Sequence, residues 1–265
     1  MGTRSRLLVA ALSVVLAGTL AFIGPASATK ADPSKGKVGI STSRAAIVGT
    51  PMTFKGVVTP KRAGVKIGLQ RKVGNSWKNV AQGKTTTGGR YTLRGSVEFG
   101  GIYQFRVIKL PWLTNSAKSR VVTVDVYEWQ RLDDADTYSV DGVSFDQPAS
   151  IGGVSYPNSI WMDADSQGST KGGFFQLDLT GLNCAALVTQ AGALEGGQTA
   201  ANAKVGLLVK LDGTTLADKT YSLGDSEELV LDLRGGTTLR VESLVKLPGP
   251  TGKVALGSPK LLCAS

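Results

Sequence analysis

The stretch VGLLVKLDGTTL, residues 205–216, decides the fold. Apolar side chains recur at every second position from Val205 to Leu211, which is the period of a β-strand with one buried face. The run ends at Asp212-Gly213, a pair that is typical of the two-residue turn of a β-hairpin. The stretch therefore predicts two antiparallel strands, because an amphipathic helix would place its apolar residues three and four positions apart.

The same alternation continues on both sides of this hairpin. It is found in FQLDL, residues 175–179, and in LVLDLRGGTTLRVES, residues 229–243. In the second of these, Arg234-Gly235-Gly236 separates two apolar runs and predicts another hairpin. The second half of the chain is therefore predicted to consist of strands joined by turns.

Short runs rich in β-branched and aromatic residues also follow one another through the first half, separated by turn residues. We predict strands at 38–43, 52–59, 65–72, 77–84, 91–97, 103–109 and 119–126. Strands of this length and spacing indicate a β-sandwich. The predicted fold class is all-β, with two β-sandwiches.

The first residues predict export. Arg4 and Arg6 precede the apolar run LLVAALSVVLAGTLAFIG, and Ala26-Ser27-Ala28 follows it, as in a signal peptide with an A-x-A cleavage site. We therefore predict a signal peptide at 1–28, with a retained membrane anchor as the alternative, and a flexible leader at 29–37. No later run is long and apolar enough to span a bilayer. We expect a secreted or cell-surface protein with no transmembrane anchor after cleavage.

The charge divides the chain in two. Residues 29–126 carry 18 Lys and Arg against 3 Asp and Glu, whereas residues 127–265 carry 10 against 17. Two halves of opposite sign and ordinary domain size predict a first sandwich at 38–126 and a second at 127–265. The basic half would attract a polyanion, such as a phosphate-bearing wall polymer, unless its charge serves only solubility. Nucleic acid is not expected, because no nucleic-acid-binding motif is present.

The two cysteines, Cys184 and Cys263, are an even number in a chain predicted to be exported, and pairing is the simplest expectation. Two buried free thiols are the alternative. A catalytic thiolate is not expected, because the chain contains no His to activate it.

Enzymatic function is not expected. The absence of His excludes Ser-His-Asp and Cys-His nucleophilic systems and the usual zinc sites. Carboxylate pairs such as Asp163 and Asp165 could cleave glycosides, but two small sandwiches leave no further domain to form a deep cleft. The acidic run Asp133-Asp134-x-Asp136 could instead supply oxygen ligands to a structural calcium ion, although short acidic runs are usually solvated loops.

The stretch YPNSIWMDAD, residues 156–165, combines groups that suit a sugar. An aromatic face packs on the apolar side of a pyranose, and amide and carboxylate groups bond its hydroxyls. The alternative is a strand whose Trp161 is buried in the core. The candidate carbohydrate-binding residues are Tyr156, Asn158, Trp161, Asp163 and Asp165.

Two family resemblances add to these expectations. GTPMTFKGVVTP, with Gln70-Arg71, Trp77 and Gly89-x-Tyr91 after it, resembles bacterial immunoglobulin-like domains of exported Gram-positive proteins. Gly152-Gly153-Val154-x-Tyr156, FQLDLTG, VKLDGTTL and LVLDLRGGTTLRVES, in this order, resemble the NPCBM carbohydrate-binding modules, whose family often has a His near residues 158–161 that this chain lacks.

The second resemblance implies a jelly-roll-type sandwich that binds a glycan. The function expected from the sequence is that of an exported, non-catalytic carbohydrate-binding or cell-surface protein whose partner is a glycan or cell-wall polysaccharide. The alternative is a structural or adhesive envelope protein that binds an anionic wall polymer or a protein through its basic first domain.

Overall fold

The computed structural model describes residues 36–110, 116–134, 137–164, 172–245 and 251–264. These residues form 18 β-strands and one short 3-10 turn, so the predicted all-β class is confirmed. Two separate hydrophobic cores show that the strands make two β-sandwiches. In the described part of the chain, no helix has the length and apolar character to cross a membrane. The predicted signal peptide at 1–28 lies outside the described residues and stays a prediction.

The first sandwich is built from the first eight strands. They are β1 (Lys37–Val38), β2 (Ala45–Ile47), β3 (Met52–Thr59), β4 (Lys66–Val73), β5 (Ser76–Lys84), β6 (Arg90–Gly95), β7 (Gly101–Lys109) and β8 (Val122–Arg131). One sheet has the order β1-β3-β6, and the facing sheet contains β5-β4-β7-β8 with β2 on the far side of β8. The alternating apolar residues meet between the sheets, where the Phe54 and Phe105 rings lie 4.9 Å apart.

The second sandwich uses the remaining strands. They are β9 (Thr137–Asp141), β10 (Val143–Ile151), β11 (Val154–Asp163), β12 (Phe174–Asp178), β13 (Cys184–Ala193), β14 (Val205–Leu211), β15 (Thr214–Tyr221), β16 (Ser226–Asp232), β17 (Thr238–Val245) and β18 (Lys253–Cys263). One sheet has the order β15-β14-β17-β12-β9, and the other joins β10, β11, β18, β13 and β16. The core between them includes Ile160, Met162, Phe175 and Leu256.

Strand β8 connects the two sandwiches within one continuous sheet. Val124 and Val126 lie in the first core, while residues Glu128 to Arg131 pair with β18 of the second sandwich. The predicted boundary between Val126 and Tyr127 therefore falls inside a strand, because the period-two alternation continues past the change in charge. The domain bounds stay a prediction.

The two predicted hairpins have different outcomes. Asp212 and Gly213 have φ values of 48° and 82° and join β14 directly to β15, as two residues with positive φ do in a hairpin turn. The hairpin predicted around Gly235 is wrong, because β16 pairs with β13 whereas β17 pairs with β12 and β14. The chain there crosses from one sheet to the other. Leu231 and Val241 reach one core from opposite sheets, so both strands carry the same alternation.

The predicted disulfide is confirmed. Cys184 on β13 and Cys263 on β18 are direct partners in the antiparallel ladder and form the bond. It links two neighbouring strands of the second sandwich.

Candidate functional site

Strand β11 carries most of the candidate sugar-binding stretch and presents it on two faces. Ile160 and Met162 point into the core and are fully buried. Trp161 and Asp163 point to the opposite face, because successive side chains in a strand alternate. Asp165 lies outside the described residues. The stretch is therefore a strand of the sandwich, and the carbohydrate-binding role of its candidates stays a prediction.

Trp161 and Asp163 meet at one lysine. The Lys253 Nζ atom lies 3.0 Å from Asp163 Oδ1 and 5.4 Å from the centre of the Trp161 ring. The half-buried ring packs against a small apolar cluster that includes Ile151 and Leu194, and its Nε1 is buried without a hydrogen-bond partner in the described residues. A ring held in this way offers little free face for a sugar.

Tyr156 packs against backbone. A Cβ atom added at Gly257 on β18 would lie 2.7 Å from the Tyr156 ring, so the ring rests directly on the glycine. The absence of a side chain at residue 257 thus makes room for the aromatic ring. This contact is structural.

Asn158 lies in a different setting, at the wall of an open cavity of about 430 Å³. Its Nδ2 donates a 2.9 Å hydrogen bond to Asp146 Oδ1. The same carboxylate oxygen accepts a 2.6 Å bond from a terminal nitrogen of Arg131. The cavity is lined by Arg131, Asp133, Pro157, Asn158, Ser258, Pro259 and Lys260.

The charges of this cavity are balanced and held in place. The hydrogen bonds from Asn158 and then Arg131 lower the pKa of Asp146 below its ordinary value of 3.8. Bonds to Asp133 and Asp146 raise the pKa of Arg131. The Asp146 carboxylate is therefore ionised at neutral pH, and the Arg131 guanidinium bonds both Asp146 and Asp133.

Three neighbouring strands each contain a proline: Pro148 on β10, Pro157 on β11 and Pro259 on β18. The last two line the cavity. Proline removes a ladder hydrogen bond and occurs in sheets mainly at edges and bulges. The pairing register shifts on both sides of Gln147, and it shifts again where β18 passes Pro259. The ladder is therefore interrupted in three strands at the level of the cavity.

Two residues at these interruptions have left-handed backbone conformations. Asp146 has φ of 52° and Ser258 has φ of 45°, values that cost free energy in residues other than glycine. The described residues include four non-glycine residues with positive φ. Two of these are at the cavity, because Ser258 lines it and Asp146 is hydrogen-bonded to Asn158 in its wall. Backbone strain of this kind and bulges concentrate at binding sites.

An exposed aromatic side chain lies on the strand that supplies Arg131 to the cavity. Trp129 lies two residues before Arg131 on β8, on the same face and about 7 Å away by the rise of a strand. It is 44% exposed. The register places Leu262 opposite Trp129 and Lys260 opposite Arg131.

The expected calcium ligands are only partly described. Asp133 accepts hydrogen bonds from two nitrogens of Arg131, and Asp134 Oδ2 lies 3.9 Å from Arg131 Nε. Asp136 lies outside the described residues, and within those described no group of three acidic, His or Cys side chains could hold a metal ion. A calcium ion at Asp133 would have to displace the guanidinium. The calcium site stays a prediction.

Comparisons with known proteins give no family. No protein-family model and no curated protein matches the chain. The CBM51 module of Clostridium perfringens GH95, solved in complex with methyl-galactose, is 16% identical with a TM-score of 0.43, covering 50% of this chain and 99% of that one. The CBM51-2 and INT domains of C. perfringens ZmpB are 14% identical with a TM-score of 0.43, covering 62% of this chain and 37% of that one.

The D0-D1 domain of intimin is also similar, at 13% identity and a TM-score of 0.26, over 84% of this chain and 90% of that one. Identities and scores this low assign the chain to no family. The NPCBM resemblance therefore stays a prediction.

The sequence named two members of this site, Asn158 as a sugar-binding candidate and Asp133 as a calcium candidate. It missed Arg131, Asp146, Ser258 and Lys260. These residues come from three different strands, and those on β18 lie about a hundred positions after Asn158, so no local pattern unites the set. A usable signal was nevertheless present. A proline within a period-two run, as in Gln147-Pro148 and Ser258-Pro259, indicates a bulge rather than an uninterrupted strand.

Proposed function

We propose that this chain is a non-catalytic carbohydrate-binding protein of the cell surface, and that the second sandwich binds a glycan at the Asn158 cavity. The observation that carries the proposal is the convergence of Asn158, Asp146, Arg131 and Lys260 beside the exposed Trp129. Export is part of the proposal and depends on the predicted signal peptide at 1–28.

The chemistry of the cavity suits a sugar. Sugar hydroxyls both donate and accept hydrogen bonds, and the cavity presents the cationic donors Arg131 and Lys260 together with the acceptor Asp146. Its volume of about 430 Å³ lies in the range of small-molecule sites. The ring of Trp129 supplies an apolar face of the kind that packs against a pyranose.

The same electrostatics favour binding without catalysis. A glycosidase needs a carboxylic acid with a raised pKa, which stays protonated and gives its proton to the leaving group. Here the pKa of Asp146 is lowered by Asn158 and Arg131, and Asp133 is bonded to the same guanidinium. These carboxylates are arranged as fixed acceptors.

A glycan array probed with the full chain tests the proposal, with each positive glycan and methyl galactoside then titrated calorimetrically. Asn158→Ala is expected to weaken binding by up to about tenfold, which corresponds to one lost hydrogen bond. Asp163→Asn is the matched control, since it changes a polar residue of the same strand outside the cavity. Equal loss in both variants, or no binding to any glycan, contradicts the proposal.

A second pair of variants tests the aromatic contact. Trp129→Ala is expected to weaken glycan binding, while Trp129→Phe keeps an aromatic face and most of the affinity. Trp161→Phe should leave the affinity unchanged, because Trp161 lies on the opposite face of β11 from the Asn158 cavity.

A further inference from the structure

The described part of the first sandwich holds a large excess of positive charge. Residues 36–126 contain 16 Lys and Arg against the two acids Glu98 and Asp125. The ion pairs found among the described residues all lie between residues 131 and 253. No described carboxylate therefore pairs with a cation of this sandwich.

Part of this charge is concentrated on one sheet face. Lys66 on β4 lies directly opposite Lys84 on β5, and Lys118 lies opposite Ile108 of β7. Facing pairs of like charge destabilise a sheet, so their presence favours a ligand of opposite charge. The basic face is defined by the outward cations of β4, β5 and β7 and their neighbour: Lys66, Lys72, Lys84, Arg106 and Lys118.

Arg106 is fixed at the centre of the basic face. Its guanidinium lies 4.1 Å from the centre of the Trp77 ring, and its Nε donates a 2.9 Å hydrogen bond to Gln70 Oε1. Gln70 is only 2% exposed, so this acceptor is itself held by packing. An arginine that is stacked and bonded at Nε presents its terminal nitrogens without a further loss of side-chain entropy.

A buried acceptor lies next to this arginine. Asn79 is the direct partner of Gln70 on β5, and its Oδ1 is buried without a hydrogen-bond partner in the described residues. A Cβ atom at Gly68 would lie 2.9 Å from that oxygen, so the glycine leaves the space that the amide occupies. Because the Asn79 oxygen is buried, the group that this part of the face offers to a ligand is the fixed guanidinium of Arg106, which suits a phosphate.

We propose that the basic face binds a linear polymer of polyol phosphates, with one phosphate bound by Arg106 and further phosphates near Lys66, Lys84 and Lys118. A membrane surface is the less suitable occupant, because bilayer-binding faces combine cations with exposed aromatic side chains. Trp77 on this face is covered by Arg106.

Binding of the full chain to poly(glycerol phosphate) across a salt series tests this proposal. The logarithm of the binding constant is expected to fall linearly with the logarithm of the salt concentration. In the Lys66→Glu/Lys84→Glu variant this slope should be smaller in magnitude by about one for each phosphate that the variant no longer neutralises. Arg106→Lys keeps the charge but not the two parallel donors, and we expect about tenfold weaker binding.

Arg90→Glu/Arg94→Glu is the matched control, since it makes the same change of net charge on β6 of the other sheet. Unchanged binding in this control supports the proposal, and an equal loss overturns it by showing a response to net charge alone. Equal binding to poly-glutamate, or preferential binding to phosphatidylglycerol vesicles, also overturns it. Asn158→Ala must leave polymer binding intact, which separates this face from the proposed glycan site.

Discussion

The Asn158 amide donates a 2.9 Å hydrogen bond to the Asp146 carboxylate across strands β10 and β11. The bond exists because the register of these strands shifts on both sides of Gln147 and because Asp146 has a left-handed φ of 52°. Regular pairing would give every residue of β10 a partner in the ladder. Because the ladder is interrupted here, the Asp146 carboxylate can accept hydrogen bonds from Asn158 and Arg131 at the cavity.

The first prediction concerns the pKa of Asp146. The bonds from Asn158 and Arg131 lower this pKa below its ordinary value of 3.8, so the network stabilises the fold fully above that pH and less as pH falls through the lowered pKa. Asn158→Ala is expected to raise the pKa of Asp146 towards 3.8, measured by the carbon chemical shift of the carboxyl group during an acid titration.

An internal control is present in the same spectra. The pKa of Asp178 is lowered by hydrogen bonds from Thr180, which do not involve Asn158. Its titration should be the same in both proteins. A parallel change at Asp178, or no change at Asp146, would contradict the prediction.

The second prediction concerns the contact between Tyr156 and Gly257. Gly257→Ala would place a Cβ atom 2.7 Å from the ring, so the ring or the strand must move. We expect a loss of about 2 kcal/mol in the free energy of unfolding, as for other overpacked sites, measured by urea denaturation. Gly88→Ala is the control, because no atom lies within 4 Å of the added group. Similar losses in both variants would show that the Tyr156 contact is not the cause.

The sequence predicted the strands well where alternation is local. Strand β3 was predicted at residues 52–59 and is found at Met52–Thr59. Strand β2 was missed, because its three residues pair in parallel with β8, some 80 positions away. The crossing near Gly235 was mistaken for a hairpin because alternation reports which face of a strand is buried and not which sheet the strand joins.

The candidate site was less predictable for a related reason. Residues of one strand, such as Trp161 and Asp163, are close in sequence but face away from the Asn158 cavity. The partners of Asn158 come from β8, β10 and β18, and only the pairing of these strands brings them together. The composition of residues 156–165 pointed to strand β11. The pairing of that strand with its neighbours then showed that Asn158 is the residue at the candidate cavity.

The third prediction concerns the disulfide. Cys184 and Cys263 are 79 residues apart, and closing a loop of this length limits the unfolded chain. On the chain-entropy model, the bond contributes about 4.5 kcal/mol to the free energy of unfolding. Reduction is therefore expected to lower the urea midpoint of the wild-type chain strongly. In Cys184→Ala/Cys263→Ala the reductant should have no effect, and a comparable shift there would point to another cause.

The fourth prediction concerns alkaline stability. Burial raises the pKa of Tyr91 and of Tyr221, so both stay protonated in the folded chain above their ordinary value of 10.0. The unfolded chain releases these protons near that pH, and stability therefore falls as pH rises beyond it. The urea midpoint should decline above pH 10 in the wild type and less steeply in Tyr91→Phe and Tyr221→Phe. An unchanged slope in both variants would contradict the assignment.

The fifth prediction concerns the facing pair Lys66 and Lys84. Lys66→Glu replaces a like-charge pair by an ion pair across β4 and β5, and we expect a gain of about 0.5 kcal/mol in the free energy of unfolding. Lys84→Glu should give a similar gain. The double variant should show neither, because two glutamates repel as two lysines do. Urea denaturation at low salt measures all three, since salt screens exposed charges.

The same single variant separates stability from binding. Lys66→Glu is expected to be more stable than the wild type and yet to bind poly(glycerol phosphate) more weakly, because it removes a cation from the basic face. A variant that bound weakly through misfolding would be less stable as well. If Lys66→Glu gained stability and kept its full affinity, Lys66 would not contribute to polymer binding. The repulsion between Lys66 and Lys84 would then need another explanation.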